Sequence, residues 1–154
     1  MSIIKGYYVI FSSIDWSTHQ QIHHQLTNSL IESGNQVLFI ENTGVRSPQI
    51  KDFGRIIERI KFRIKSFHGF RQVNDNLCLF TPIFIPYPYN KLSIFLNTLL
   101  ISRSIRRWIK VVKFYEPICI SFLPTPAVQE IIRNIDPSLK IYYCADDMSR
   151  SLAN

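Results

Sequence analysis

The stretch from Gly6 to Asn42 limits the possible folds more than any other part of the chain. Tyr7-Tyr8-Val9-Ile10-Phe11 is a short aromatic and β-branched run that suits a strand buried on both faces. A helix follows in the pattern. Ser17-Thr18-His19-Gln20 has the hydroxyl-to-Gln spacing of a capping box, and Ile22, Leu26 and Leu30 recur at helical intervals toward a stop at Gly34. Val37-Leu38-Phe39-Ile40 reads as a second buried strand. Two such runs around one helix predict a parallel crossover, and in sheets of that kind ligands bind beyond the carboxyl ends of the strands. That edge carries Ser12-Ser13-Ile14-Asp15-Trp16.

The rest of the chain continues the alternation. A turn-rich loop over 42–48 leads to a helix from about Gln49 to Phe67, with an apolar stripe at Ile50, Phe53, Ile57, Ile60, Ile64 and Phe67. Leu77-Cys78-Leu79-Phe80 reads as the third strand, and it feeds a loop, Thr81 to Asn90, whose three prolines exclude a helix or a central strand. A long helix from Leu92 to about Tyr115 is apolar nearly all round at first and then basic, and Glu116-Pro117 ends it. Ile118 to Phe122 is the fourth strand; Thr125 caps, and Pro126 opens, a helix over 127–134. Lys140 to Cys144 is the fifth strand and delivers Asp146 and Asp147 to the same edge as Asp15 and Trp16. The fold class expected is therefore α/β, a Rossmann-like doubly wound parallel sheet of about five strands with helices on both faces. All 154 residues form one domain, which ends just past a strand and so reads as truncated.

Charge separates the function classes. The net charge of +7 asks for an anionic partner, and most of it lies in Lys51 to Arg71 and Arg103 to Lys113. Arg55, Arg59, Lys61, Arg63 and Lys65 on the first basic helix, with Arg106 and Lys110 on the second, form the expected contact with an anionic membrane surface. An ordinary sheet-covering helix with a solvated outer face explains the stripe equally well. Nucleic acid is set aside, because the aromatics lie mostly in strands and no groove-reading or RNA-reading signature is present. Cys78, Cys119 and Cys144 are far apart and each sits in an apolar run, so three buried free thiols in a reducing compartment are expected. The opening apolar run is too short for a signal peptide and no run is long enough to span a bilayer. A cytoplasmic protein, free or peripheral on the inner membrane face, follows. His19 and His23 are four apart, but no third ligand accompanies them, so no metal is expected.

Several short motifs in this order resemble one family. Trp16 with His19 after the first strand, Gly34-Asn35-Gln36-Val37-Leu38-Phe39-Ile40-Glu41-Asn42 at the second, Thr81-Pro82 with Pro86 after the third, and Tyr142-Tyr143-Cys144-Ala145-Asp146-Asp147 look like the N-terminal half of family 4 glycosyltransferases. The branch that builds teichuronic-acid-type and other surface polysaccharides is the most similar. The resemblance implies the GT-B architecture, two Rossmann-like domains facing across a cleft. It also implies retaining transfer, usually without a metal, from a nucleotide-sugar to a glycan or lipid-linked acceptor. This chain matches the acceptor side alone, so it is expected to be inactive by itself and to meet nucleotide-sugar only with a second domain; no cofactor is expected. Ser12-Ser13 stands where many members carry glycines, which departs from the pattern that lets a diphosphate approach the backbone.

Within that resemblance the site residues take roles. Asp146 is the candidate to orient an acceptor hydroxyl or take its proton, with helix capping as the competing role. Ser13, Asp15, Trp16, His19, Tyr87 and Asp147 are the candidate acceptor contacts, a sugar stacking on Trp16 and bonding to Asp15. Against this stands a Trp that plugs the sheet end and a solvated His. Two other classes are kept: a non-catalytic membrane- or partner-docking module, and a nucleotide-binding enzyme. The latter lacks the Gly-x-Gly-x-x-Gly fingerprint after the first strand.

Overall fold

The structure, a computed structural model, describes residues 6–41, 69–82, 91–123 and 125–144. The expected basic helix at 49–67, the proline loop with Tyr87, and Asp146 and Asp147 lie outside the described residues. Nine elements follow in order: β1 (Tyr7–Phe11), α1 (Ile22–Glu32), β2 (Gln36–Ile40), β3 (Phe70–Asn74), β4 (Leu77–Phe80), α2 (Lys91–Val112), β5 (Ile118–Ser121), α3 (Pro126–Ile135) and β6 (Leu139–Tyr142). They build one six-stranded sheet in the order β3-β4-β2-β1-β5-β6. Five of these strands are mutually parallel; β3 runs antiparallel to β4.

The central strands carry the fold. Val9, Ile10, Phe11, Leu38, Phe39 and Ile40 are all fully shielded from solvent. Burying a side chain of this size is worth about 1.5–3 kcal/mol, so β1 and β2 together outweigh any helix preference in the chain. Successive residues point to opposite faces. Val9, Phe11, Leu38 and Ile40 meet Ile101 and Ile105 of α2 and Val128, Ile131 and Ile132 of α3. Ile10, Phe39, Leu79 and Ile120 face the other way, onto Leu26, Leu30 and Ile31 of α1.

Three expectations are corrected. The sheet has six strands where about five were expected, because β3 forms a hairpin with β4. β3 is polar apart from Phe70 and Val73, and Phe70 is held by stacking between Phe80 and Trp108 at centroid distances of 4.3 and 5.7 Å. Helix α1 begins at Ile22 and not near Ser17. The Ser17 region is used in a turn, in which the Thr18 amide and hydroxyl both donate to the Asp15 carbonyl at 3.1 and 2.7 Å. The inward side of α1 then carries His23, His24 and Thr27, and Ile22 is exposed. Finally, Cys78 and Cys119 are buried but Cys144 is exposed. Burial pushes the Cys78 thiol up to about 11 and that of Cys119 up to about 12, so both stay protonated.

The helix signals read from sequence hold at the start of α3 and at the end of α1. Thr125 accepts the Val128 amide at 3.3 Å with Pro126 in the first turn of α3. At the end of α1, Gly34 takes φ +82, its amide donates to Ile31 at 2.8 Å, and the Asn35 amide reaches Leu30 at 3.1 Å. This is a Schellman ending. An added Cβ at Gly34 meets nothing within 4 Å, so a substitution there is penalised through the backbone alone. Gly34→Ala is expected to lower stability by about 1 kcal/mol, read as a shift in the urea midpoint at unchanged slope.

Candidate functional site

The hydrogen-bond ladder runs one residue past the strand ends, and those residues form a rim. The Ser12 amide donates to Ile40, the Glu41 amide to Phe80, the Phe122 amide to Phe11 and the Tyr143 amide to Ser121, at 2.8–3.0 Å. Continuing the strand register lines up Thr81, Glu41, Ser12, Phe122 and Tyr143 across the carboxyl edge. The chain works outward from β1 to β4 on one side and then returns to β5 on the other, so the order reverses between β1 and β5. Open α/β sheets receive ligands at such a reversal.

Alternation decides which side chains fill it. Ser12, Glu41 and Phe122 each follow by two a residue of the face covered by α1, namely Ile10, Phe39 and Ile120. The first turn of α1 lies on them. His23 stacks on Phe122 with centroids 3.9 Å apart and its Nδ1 is 3.1 Å from the Ser12 hydroxyl. Ser12 donates to the Ile14 carbonyl at 3.0 Å and accepts the Ile14 amide at 3.1 Å. Which of Ser12 and the His23 ring donates to the other follows from the ring's tautomer. A serine beside a histidine is the composition of a nucleophile and its base. Here Ser12 has no exposed surface, and the pair is structural.

His24 ties the loop after β1 to α1. The Gln21 amide donates to its Nδ1 at 3.1 Å, which leaves the hydrogen on Nε2 to donate to the Trp16 carbonyl at 3.1 Å. His24 thus stands where a capping box has Glu or Gln. The Trp16 ring packs on His24 and edge-on against Phe39, at 4.9 and 5.0 Å.

Glu41 holds this loop from below. It is 8% exposed, and one carboxyl oxygen accepts the Trp16 amide at 2.9 Å while the other accepts the Thr81 hydroxyl. One side chain therefore links the ends of β1, β2 and β4.

Ser13, Asp15 and Trp16 are brought together on this rim and are each partly exposed, whereas His19 is exposed and His23 is buried. The Trp16 ring takes the plugging role, with part of its surface open. Asp146, Asp147 and Tyr87 lie outside the described residues; β6 runs parallel to β5, so the chain leaves Tyr143 at this same rim. Glu41 and His24 were not among the sequence candidates, and His23 was weighed only as a metal ligand with His19. Their signal was present: Glu41 shares a face with the buried Phe39, and His23 precedes Thr27 by one helical turn. Among the described residues no cluster of three His, Cys, Asp or Glu stands close enough to hold a metal.

Comparison with protein-family models, with curated proteins and with solved structures finds no match to this chain.

Burial, and secondarily the neighbouring His24, lowers the pKa of His23 from 6.5 to about 4. Above pH 6.5 the ring is neutral in both folded and unfolded chains. As pH falls from 6.5 to 4 the unfolded chain takes up a proton that the folded one refuses, so stability is lost over that window. The expected loss is about 2 kcal/mol after allowing for screening at the ring edge. His23→Gln should flatten this part of a stability-against-pH curve measured by urea unfolding.

Proposed function

We propose that this chain is a Rossmann-like acceptor-binding half of a GT-B, retaining glycosyltransferase, taking a glycan or lipid-linked sugar at the rim between β1 and β5. The observation that carries the reading is the placement of Ser13, Asp15 and Trp16, all partly open, at the reversal of strand order. A hydroxyl-rich ligand needs hydrogen-bond acceptors on a fixed backbone beside an aromatic surface. Asp15 supplies the first and Trp16 the second. The resemblance of the ordered motifs to family 4 glycosyltransferases supports the same assignment.

In this reading Glu41 and His24 do no chemistry. They hold the Trp16 peptide from both sides, through its amide and its carbonyl, so the loop is set before the ligand arrives. Asp146 is proposed as the group that orients the acceptor hydroxyl or takes its proton. Donor binding is assigned to a partner domain, and with it any turnover.

Glycan-array binding tests the proposal. The purified chain is expected to retain a restricted set of glycans, and Asp15→Asn to weaken retention about tenfold, the effect of one hydrogen bond to a charged group. UDP-glucose and GDP-mannose should show neither tight binding nor hydrolysis by calorimetry. Tight binding of either, or no retained glycan, would contradict the assignment.

A further inference from the structure

The outer face of α2 is unusual for a helix that covers a sheet. Thr98, Ile101, Ser102 and Ile105 are buried against the sheet and α3, and Asn134 of α3 donates to Ser102 at 3.3 Å, which fixes the helix's rotation. The opposite side then presents Phe95, Leu96, Leu99 and Leu100, which are 61, 36, 46 and 52% exposed. Further along that side come Arg103, Arg106, Arg107 and Lys110, all exposed, and then Val111, 81% exposed. From Phe95 to Lys110 this is about 22 Å of helix at 1.5 Å per residue. Helix α2 contains no Asp or Glu.

The occupant of such a face must accept large apolar side chains and cations together. A solvated outer helix face would carry mixed charges in place of Phe95, Leu99 and Leu100. A nucleic-acid backbone would leave those side chains exposed to water, and a second copy of the same helix, which carries no Asp or Glu, would offer the cations no anionic partner. An anionic lipid surface satisfies both halves. Apolar side chains enter at the acyl boundary, and Lys and Arg reach the phosphates. Among the described residues no helix is long and apolar enough to cross a membrane, so the contact is one of lying on the surface. We infer that α2 docks this domain flat on an anionic bilayer, through Phe95, Leu99 and Leu100 with Arg106, Arg107 and Lys110. The inference does not depend on the sugar-transfer reading.

Vesicle flotation of the purified chain tests it, with phosphatidylcholine vesicles prepared with and without phosphatidylglycerol. The chain is expected to float at least about tenfold more with the anionic vesicles, and this excess should fall with added salt. Arg106→Ser with Arg107→Ser should remove about tenfold on anionic vesicles. Leu99→Ser with Leu100→Ser should lower binding to both compositions. These positions are exposed, and circular dichroism is used to check that each variant is folded. Equal flotation with both vesicles would overturn the inference. So would flotation unchanged in both double variants, which would assign the contact to other basic residues. A dimer seen by light scattering and dissolved by Leu99→Ser with Leu100→Ser, without vesicle binding, would assign the face to a second copy.

Discussion

A carboxyl group at the end of a buried strand is costly unless both oxygens are hydrogen-bonded, and Glu41 meets that demand by recruiting its neighbours. It sits where β2 emerges, 8% exposed, and takes the Trp16 amide and the Thr81 hydroxyl. No ion pair is described for it; Arg133 and Glu130 form one on the surface of α3. Satisfying Glu41 therefore sets where the loop after β1 and the end of β4 lie relative to each other. Removal of either donor leaves an unsatisfied buried acceptor, which costs about 1–3 kcal/mol.

From that constraint the rest of the rim follows. With the Trp16 peptide held by Glu41 below and His24 above, the indole has one place to go, against Phe39. His23 then closes the gap between β1 and β5 by lying on Phe122 and bonding Ser12. The outcome is a rim whose inner parts are locked by short-range polar contacts and whose outer residues, Ser13 and Asp15, are partly exposed. Rigid support behind an open polar edge is the arrangement in which a weakly binding, hydroxyl-rich ligand loses the least entropy on docking. The charged and apolar face of α2 is a separate surface, formed because one side of that helix is committed to the sheet and α3.

The sheet was legible because buried parallel strands are continuous apolar runs, and Tyr7–Phe11, Val37–Ile40, Leu77–Phe80 and Ile118–Ser121 are all of that kind. β3 was not, since an edge strand with one anchoring Phe has no such run; the Asn74-Asp75-Asn76 turn before β4 was its available mark. The start of α1 misled because Ser17 and Gln20 have the spacing of a cap, yet the tie between His24 and Trp16 places the first turn later. Ser13, Asp15 and Trp16 could be placed on the rim from the strand–loop boundary alone. The burial of Glu41 and His23 had a local mark, but what they and His24 hold together depends on contacts between residues 8 to 40 positions apart.

The most direct measurement is a double-mutant cycle on Glu41→Ala and Thr81→Val, with stability read from urea unfolding of all four proteins. If the buried carboxyl group is what joins the strand ends, the two sites couple by at least about 1 kcal/mol. Losses that add to within about 0.3–0.5 kcal/mol would show the two side chains to be independent, and the account of the rim would fail with that result.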